Sequence, residues 1–175
     1  MVYTSPNLSE LKAMLETIPG GNQHLPKVTA TSEKADVTHI ATEAVKLISH
    51  YGISVLLATM SEAGVLLVRQ DLPEAPLPLA GHLNPSREGS VSAVWYKGQP
   101  CPPTSLVSVS GAGVEYNLVW KSEPLLYQAN SGDCLAAGFI AAALKGLGQD
   151  VAVAAGLQAA IFLQQQKILD YHFFC

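Results

Sequence analysis

The sequence predicts an α/β layered fold, in which helices cover a buried sheet. Two unbroken apolar runs, Ile53 to Met60 (ISVLLATM) and Gly64 to Val68 (GVLLV), are short enough to be strands. Segments with apolar residues at helical spacing precede them, and two Ala-rich helical segments close the chain. Hydrophobic residues make up 49% of the 175 residues and charged residues only 14%, so there is enough apolar surface to bury a core and to exclude disorder as the dominant state. That length fits one domain or a piece of a larger one.

The elements follow in order. Ser5 to Ile18 reads as a helix, with Ser5 as its cap and Pro6 at its first position. Leu8, Leu11, Leu15 and Ile18 form its apolar stripe. Pro19 to Lys34 is a polar loop containing Gly20-Gly21. A second helix runs from about Val37 to Tyr51, with Ile40, Ala44, Leu47, Ile48 and Tyr51 on one face, and Gly52 stops it. Ser61-Glu62-Ala63 makes a tight turn between the two apolar strands. Asp71 to Gly89 holds four prolines and reads as loop or edge strand. Val91 to Tyr96 and Leu106 to Ser110 (LVSVS) are further strands, and the closing helices span roughly Asp133 to Leu144 and Gln149 to Leu169.

Composition also bounds the function. A net charge of -4 without a basic face argues against a nucleic-acid duplex or an anionic membrane as partner. No apolar stretch reaches the ~20 residues of a bilayer span. The start, MVYTSPNLSEL, has no signal-peptide pattern, and Cys101, Cys134 and Cys175 form neither a metal spacing nor an even disulfide set. A soluble, cytoplasmic protein is the expectation, with organelle import left open.

Two local patterns can carry chemistry. LVSVSGAG, at Leu106 to Gly113, is a strand running into small residues whose amides can form an anion nest; a plain turn has the same pattern. ANSGDCLAAGF, at Ala129 to Phe139, opens a helix at Ser131-Gly132-Asp133, with free amides and the positive dipole end at the loop. Asp133 there is either a simple helix cap or a general base beside an oxyanion or phosphate site. Elsewhere the signals are weaker. Cys134 has no histidine nearby in sequence, the five histidines show no HxxxH or HxH spacing, and no Walker-type phosphate loop is present. Trp95 and Trp120 read as packing residues.

Taken together, an NxxE sequence on a helix, a Thr-x-x-x-x-Gly turn between apolar strands, a strand leading to Gly-Ala-Gly, and Gly-Asp opening an Ala-rich helix resemble the C-terminal half of a ribokinase-like (PfkB-type) carbohydrate kinase. TSPNLSELKAM, at Thr4 to Met14, most resembles pseudouridine kinases. The resemblance covers most of the chain, with the Gly-Asp helix and its continuation to Gly148 as its most specific part. It implies a Rossmann-type layered fold with a mostly parallel central sheet and flanking helices. The implied activity is ATP-dependent phosphorylation of a sugar or nucleoside hydroxyl, with pseudouridine going to its 5'-phosphate.

The resemblance assigns roles residue by residue. Asp133 corresponds to the catalytic base, and Asn7 and Glu10 to the NxxE pair that supports Mg2+ through water. Thr59, Ser61 and Gly64 correspond to the turn along the nucleotide, where the family usually has Gly at the position of Ser61. The anion hole would come from Gly132 with Ser131, or from Gly111, Ala112 and Gly113. ATP and Mg2+ are implied as cosubstrate and cofactor, with a monovalent cation such as K+ as a further candidate.

Two departures shape the expectation. The family's Gly-x-Gly-Asp is continuous, whereas here Gly111 to Gly113 stand upstream of Asp133. Removing Val114 to Gly132 would join SVSGAG to DCLAAGF, so these 19 residues read as an insertion, and their alternation of Val114, Tyr116, Leu118 and Trp120 with other residues fits a strand. The chain also begins at the NxxE helix, without the half that supplies early strands and sugar contacts. A fragment or splice product is expected, poorly soluble alone, whose partner is a second copy or the missing half. The competing expectations are an inactive product that keeps a nucleotide-binding or interaction role, and an unrelated α/β binding domain in which Asp133 only caps its helix.

Overall fold

The computed structural model describes residues 3–21, 24–29, 31–70, 77, 91–96, 105–111, 114–120 and 132–160. Its core is a mixed sheet of four strands. β1 (Tyr3–Thr4) lies parallel to β2 (Val55–Thr59), which is antiparallel to β3 (Val65–Arg69), itself antiparallel to β4 (Ser92–Tyr96). A hairpin of β5 (Ser105–Gly111) and β6 (Val114–Trp120) extends it, with β6 parallel to β4, so the order is β1-β2-β3-β4-β6-β5. The expected mostly parallel sheet is corrected here, because three of the five neighbouring pairs are antiparallel. For two of these the cause is local: β2 and β3, like β5 and β6, are joined by links too short for a parallel crossover.

Every residue of β2, β3 and β4 is buried. Strand alternation sends Leu56, Ala58, Leu66, Val68, Ala93 and Trp95 to one face, and Val55, Leu57, Val65, Leu67, Val94 and Tyr96 to the other. Two helices cover the first face, α1 (Leu8–Leu15) and α2 (Lys34–Tyr51). The second face takes α3 (Gly132–Leu144) and α4, which is helical over 149–160. The result is a three-layer α/β/α arrangement.

The helices form where the apolar spacing puts them, with two corrections at their ends. α1 starts at Leu8, and its cap is Asn7, since Ser5 Oγ donates to Leu57 O (3.2 Å) and the chain up to Asn7 is still extended beside β2. Leu11, Leu15 and Ile18 are buried as the stripe requires. α2 ends at Gly52, whose φ of 61° is the left-handed conformation that glycine adopts without strain. Tyr51 is exposed, contrary to its place on the expected apolar face: it sits on the last turn, where its hydroxyl meets the Thr17 hydroxyl. The remainder of the last expected helix, and most of Asp71 to Gly89, lie outside the described residues.

α3 and α4 approach closely. A Cβ at Gly138 would stand 2.7 Å from Ala155 O, and one at Gly156 would stand 2.5 Å from Leu135 O. The start of α4 is also tied to the sheet by polar side chains. The Tyr96 hydroxyl donates to Asp150 Oδ1 (2.6 Å) and accepts from Gln149 Nε2 (3.0 Å), while Arg69 donates to Gln149 Oε1 (3.3 Å). Burial first, and then the bond to Asp150, push the Tyr96 phenol far above the usual tyrosine range.

Two outcomes follow for stability. Gly156→Ala forces two backbones apart and should destabilise the chain by about 1–3 kcal/mol in denaturant unfolding. Above pH ~10 the unfolded chain ionises its tyrosine while the fold keeps the Tyr96 proton, so stability is full below that pH and falls as pH rises further. Tyr96→Phe should lower stability at pH 7 by about 1–3 kcal/mol and flatten the alkaline decline. An unchanged alkaline slope would contradict this role.

Candidate functional site

The parallel pairing of β1 with β2 brings two separate sequence patterns to one end of the sheet. The Thr59 N–H donates to Pro6 O (2.9 Å), and Asn7 and Thr59 form a parallel bridge just beyond β1. Asn7 Oδ1 accepts from the N–H groups of Ser9 (2.9 Å) and Glu10 (3.0 Å), while the Asn7 N–H donates to Glu10 Oε2 (2.8 Å). This reciprocal capping box explains why α1 starts where it does. Asn7 and Glu10 are both exposed, and the cap uses Glu10 Oε2. A lone Asn7-Glu10 pair would be no more than a cap. Its register with Thr59 places it beside the end of β2.

The chain then leaves β2 through a turn whose backbone is unusual at two points. Ser61, Glu62 and Ala63 form one turn of 3-10 helix, closed by Ala63 N–H to Met60 O (3.0 Å) and Gly64 N–H to Ser61 O (3.0 Å). The Met60 N–H donates across it to Gly64 O (2.9 Å). Gly64 has φ 90° and ψ −138°, which glycine alone tolerates without strain. Ser61 has φ 51°, the one left-handed non-glycine residue among those described, and it is exposed. From below, the buried Trp95 indole donates its Nε1–H to Ala63 O (2.6 Å). Sequence reasoning read Trp95 as packing alone; nothing in the spacing signals a bond to a turn that lies two strands away in the chain.

Gly132 and Asp133 open α3, with Asp133 exposed. Asp133 lies in the first turn of α3. There the carboxylate still meets the positive end of the helix dipole. Ser131, Ala112 and Gly113 lie outside the described residues.

Gly111 goes elsewhere. Trp120 pairs with Trp95, which lies across from Leu66, which lies across from Ala58, so Trp120 is level with the end of β2. Gly111 pairs with Val114, at the opposite end of β6, about 20 Å back along the strand. With the four strand spacings from β2 to β5 added in quadrature, Gly111 stands roughly 30 Å from Thr59. The structure therefore gathers Asn7, Glu10, Thr59, Ser61 and Gly64 at one sheet end and carries Gly111 toward the other. Among the described residues, no group of three His, Cys, Asp or Glu is placed to hold a metal directly.

The turn geometry has a direct consequence. Ser61→Gly removes the left-handed strain and should stabilise the chain by about 0.5–1 kcal/mol, whereas Gly64→Ala should cost about 1–3 kcal/mol. Thermal unfolding reads both, and a Ser61→Gly chain that melts earlier would contradict the backbone described here. Asn7→Ala should cost about 1 kcal/mol through loss of the cap.

No family model matches the chain, and no curated protein matches it. The site rests on its geometry.

Proposed function

We propose that the chain is the nucleotide-binding part of an ATP-dependent kinase of the ribokinase-like (PfkB) type, acting on a sugar or nucleoside hydroxyl, with pseudouridine as the first acceptor to test. The observation that carries this reading is the bridge between Asn7 and Thr59, which brings the NxxE pair and the Thr-x-x-x-x-Gly turn into register at one sheet end. Ser61 adds support, because its left-handed backbone falls where the resemblance expects glycine.

In this reading the Ser61–Gly64 turn borders the nucleotide through its exposed residue, Ser61. Glu10, exposed and acidic, would hold Mg2+ through water, and Asn7 fixes the helix end that presents it. Bound Mg2+ would supply charge neutralisation on the phosphates. Asp133 accepts the proton of the acceptor hydroxyl as that oxygen attacks the γ-phosphorus, and the bond from phosphorus to the ADP oxygen breaks. Gly132 contributes an amide at the first turn of α3, where the dipole favours the transferring phosphoryl group.

A second reading has its own observation. Gly111 stands far from Thr59 at the end of β5, so its amide does not converge with the proposed nucleotide end. Phosphoryl transfer depends on positioning, and a misplacement of about 1 Å can cost ~100-fold. The chain as folded would then bind nucleotide without turning it over.

Calorimetry with Mg-ATP, alongside ADP release, separates the readings in the full chain and in a chain lacking Val114 to Gly132. Binding in both with turnover only in the shortened chain is the expected result. No binding in either would overturn the kinase reading. Where turnover occurs, Asp133→Asn should lower it by 10²- to 10⁴-fold and leave ATP affinity within about twofold.

A further inference from the structure

We propose that Trp95 is a positioning residue for the nucleotide turn: its indole N–H, and not its bulk alone, holds the Met60–Gly64 backbone in its ligand-ready shape. The link to a ligand rests on the nucleotide reading above. The anchoring itself rests on the structure.

Core packing of Met60 and Ala63 seats the turn on the sheet, and hydrogen bonds fix its backbone shape. Its three internal bonds all run between its own backbone groups, from Met60, Ala63 and Gly64. One of its residues, Ser61 at φ 51°, holds a left-handed backbone that costs energy for any residue but glycine. From outside the turn, the Trp95 Nε1–H donates to Ala63 O, at 2.6 Å and buried. Ala63 is the last residue of the 3-10 turn and adjoins Gly64, so fixing its carbonyl fixes the peptide plane that enters Gly64. Trp95 is itself immobilised, with no exposed surface and with β3 beside it in the sheet. A rigid donor on the sheet thus sets a strained turn at the sheet end, the arrangement by which a scaffold pre-organises a loop.

The bond also explains the polar group of Trp95. A buried indole N–H needs an acceptor, and a buried carbonyl with no donor is costly. Phenylalanine would satisfy the apolar surroundings and leave Ala63 O unmatched, so the two roles of Trp95 can be separated by experiment.

The test is hydrogen exchange on the full chain with Trp95→Phe, with Leu66→Ala as a second variant that loosens the same core region while keeping the indole. Trp95→Phe should speed exchange of the Ala63 and Gly64 amides about tenfold relative to those of β2 and β3, and Leu66→Ala should show no such selectivity. Mg-ATP affinity should fall about five- to tenfold in Trp95→Phe, read by calorimetry. Unchanged relative exchange at the turn, or equal selectivity in Leu66→Ala, would overturn the anchoring. Selective loosening with unchanged affinity would overturn the link to the ligand. Selective loosening in a chain whose parent binds no Mg-ATP would support the anchoring and overturn only the nucleotide reading.

Discussion

β2 has five residues, all buried, and the other elements are arranged to satisfy it. A strand buried on both sides must have its backbone groups paired along both edges and its side chains covered by two separate layers. Tyr3 to Asn7 supply one edge and β3 the other. α1 and α2 cover Leu56 and Ala58, while α3 and α4 cover Val55 and Leu57. The candidate site is a by-product of that arrangement. The parallel neighbour must run off the end of β2 beside Thr59, and the antiparallel neighbour must turn back at the same end, so a capped helix start and a tight turn meet there.

The far side of the sheet obeys a different constraint. β4 offers its open edge to a parallel strand, and residues 114–120 take that position. Once β6 lies parallel to β4, a short hairpin forces β5 to run the other way, and Gly111 ends remote from the nucleotide end. Segment 114–132, read as an insertion from the sequence, thus has a structural effect beyond its length: a strand from inside it holds the place next to β4. In the proposed kinase reading, this placement is what would separate nucleotide binding from turnover in one chain.

Much of this was legible in the sequence. Unbroken apolar runs marked β2 and β3, leucine spacing marked the buried side of α1, and Gly52 marked the end of α2, because each signal is local. The alternation in 114–120 likewise predicted a strand. What escaped was set by partners distant in the chain. Ser5 looked like a helix cap until its hydroxyl found Leu57, and Asn7 took the cap instead. Strand direction depended on which neighbour claimed each edge, so the parallel content was overestimated. The tie of Arg69 and Tyr96 to Gln149 and Asp150, and the bond from Trp95 to Ala63, join elements whose proximity no periodicity encodes. At the candidate site, the residue types of the turn were visible, while the left-handed backbone at Ser61 and the register of Asn7 with Thr59 required the fold.

The most direct measurement is the distance between the nucleotide turn and the end of β5. Spin labels at Ser61 and Gly111, in a chain whose three cysteines are replaced by serine, report it by double electron–electron resonance. A separation centred near roughly 30 Å is the result that the strand order and register require. A distribution centred below about 15 Å would mean that residues 105–111 turn toward Thr59, that β6 does not hold the edge of β4, and that binding and turnover are not separated in the way described.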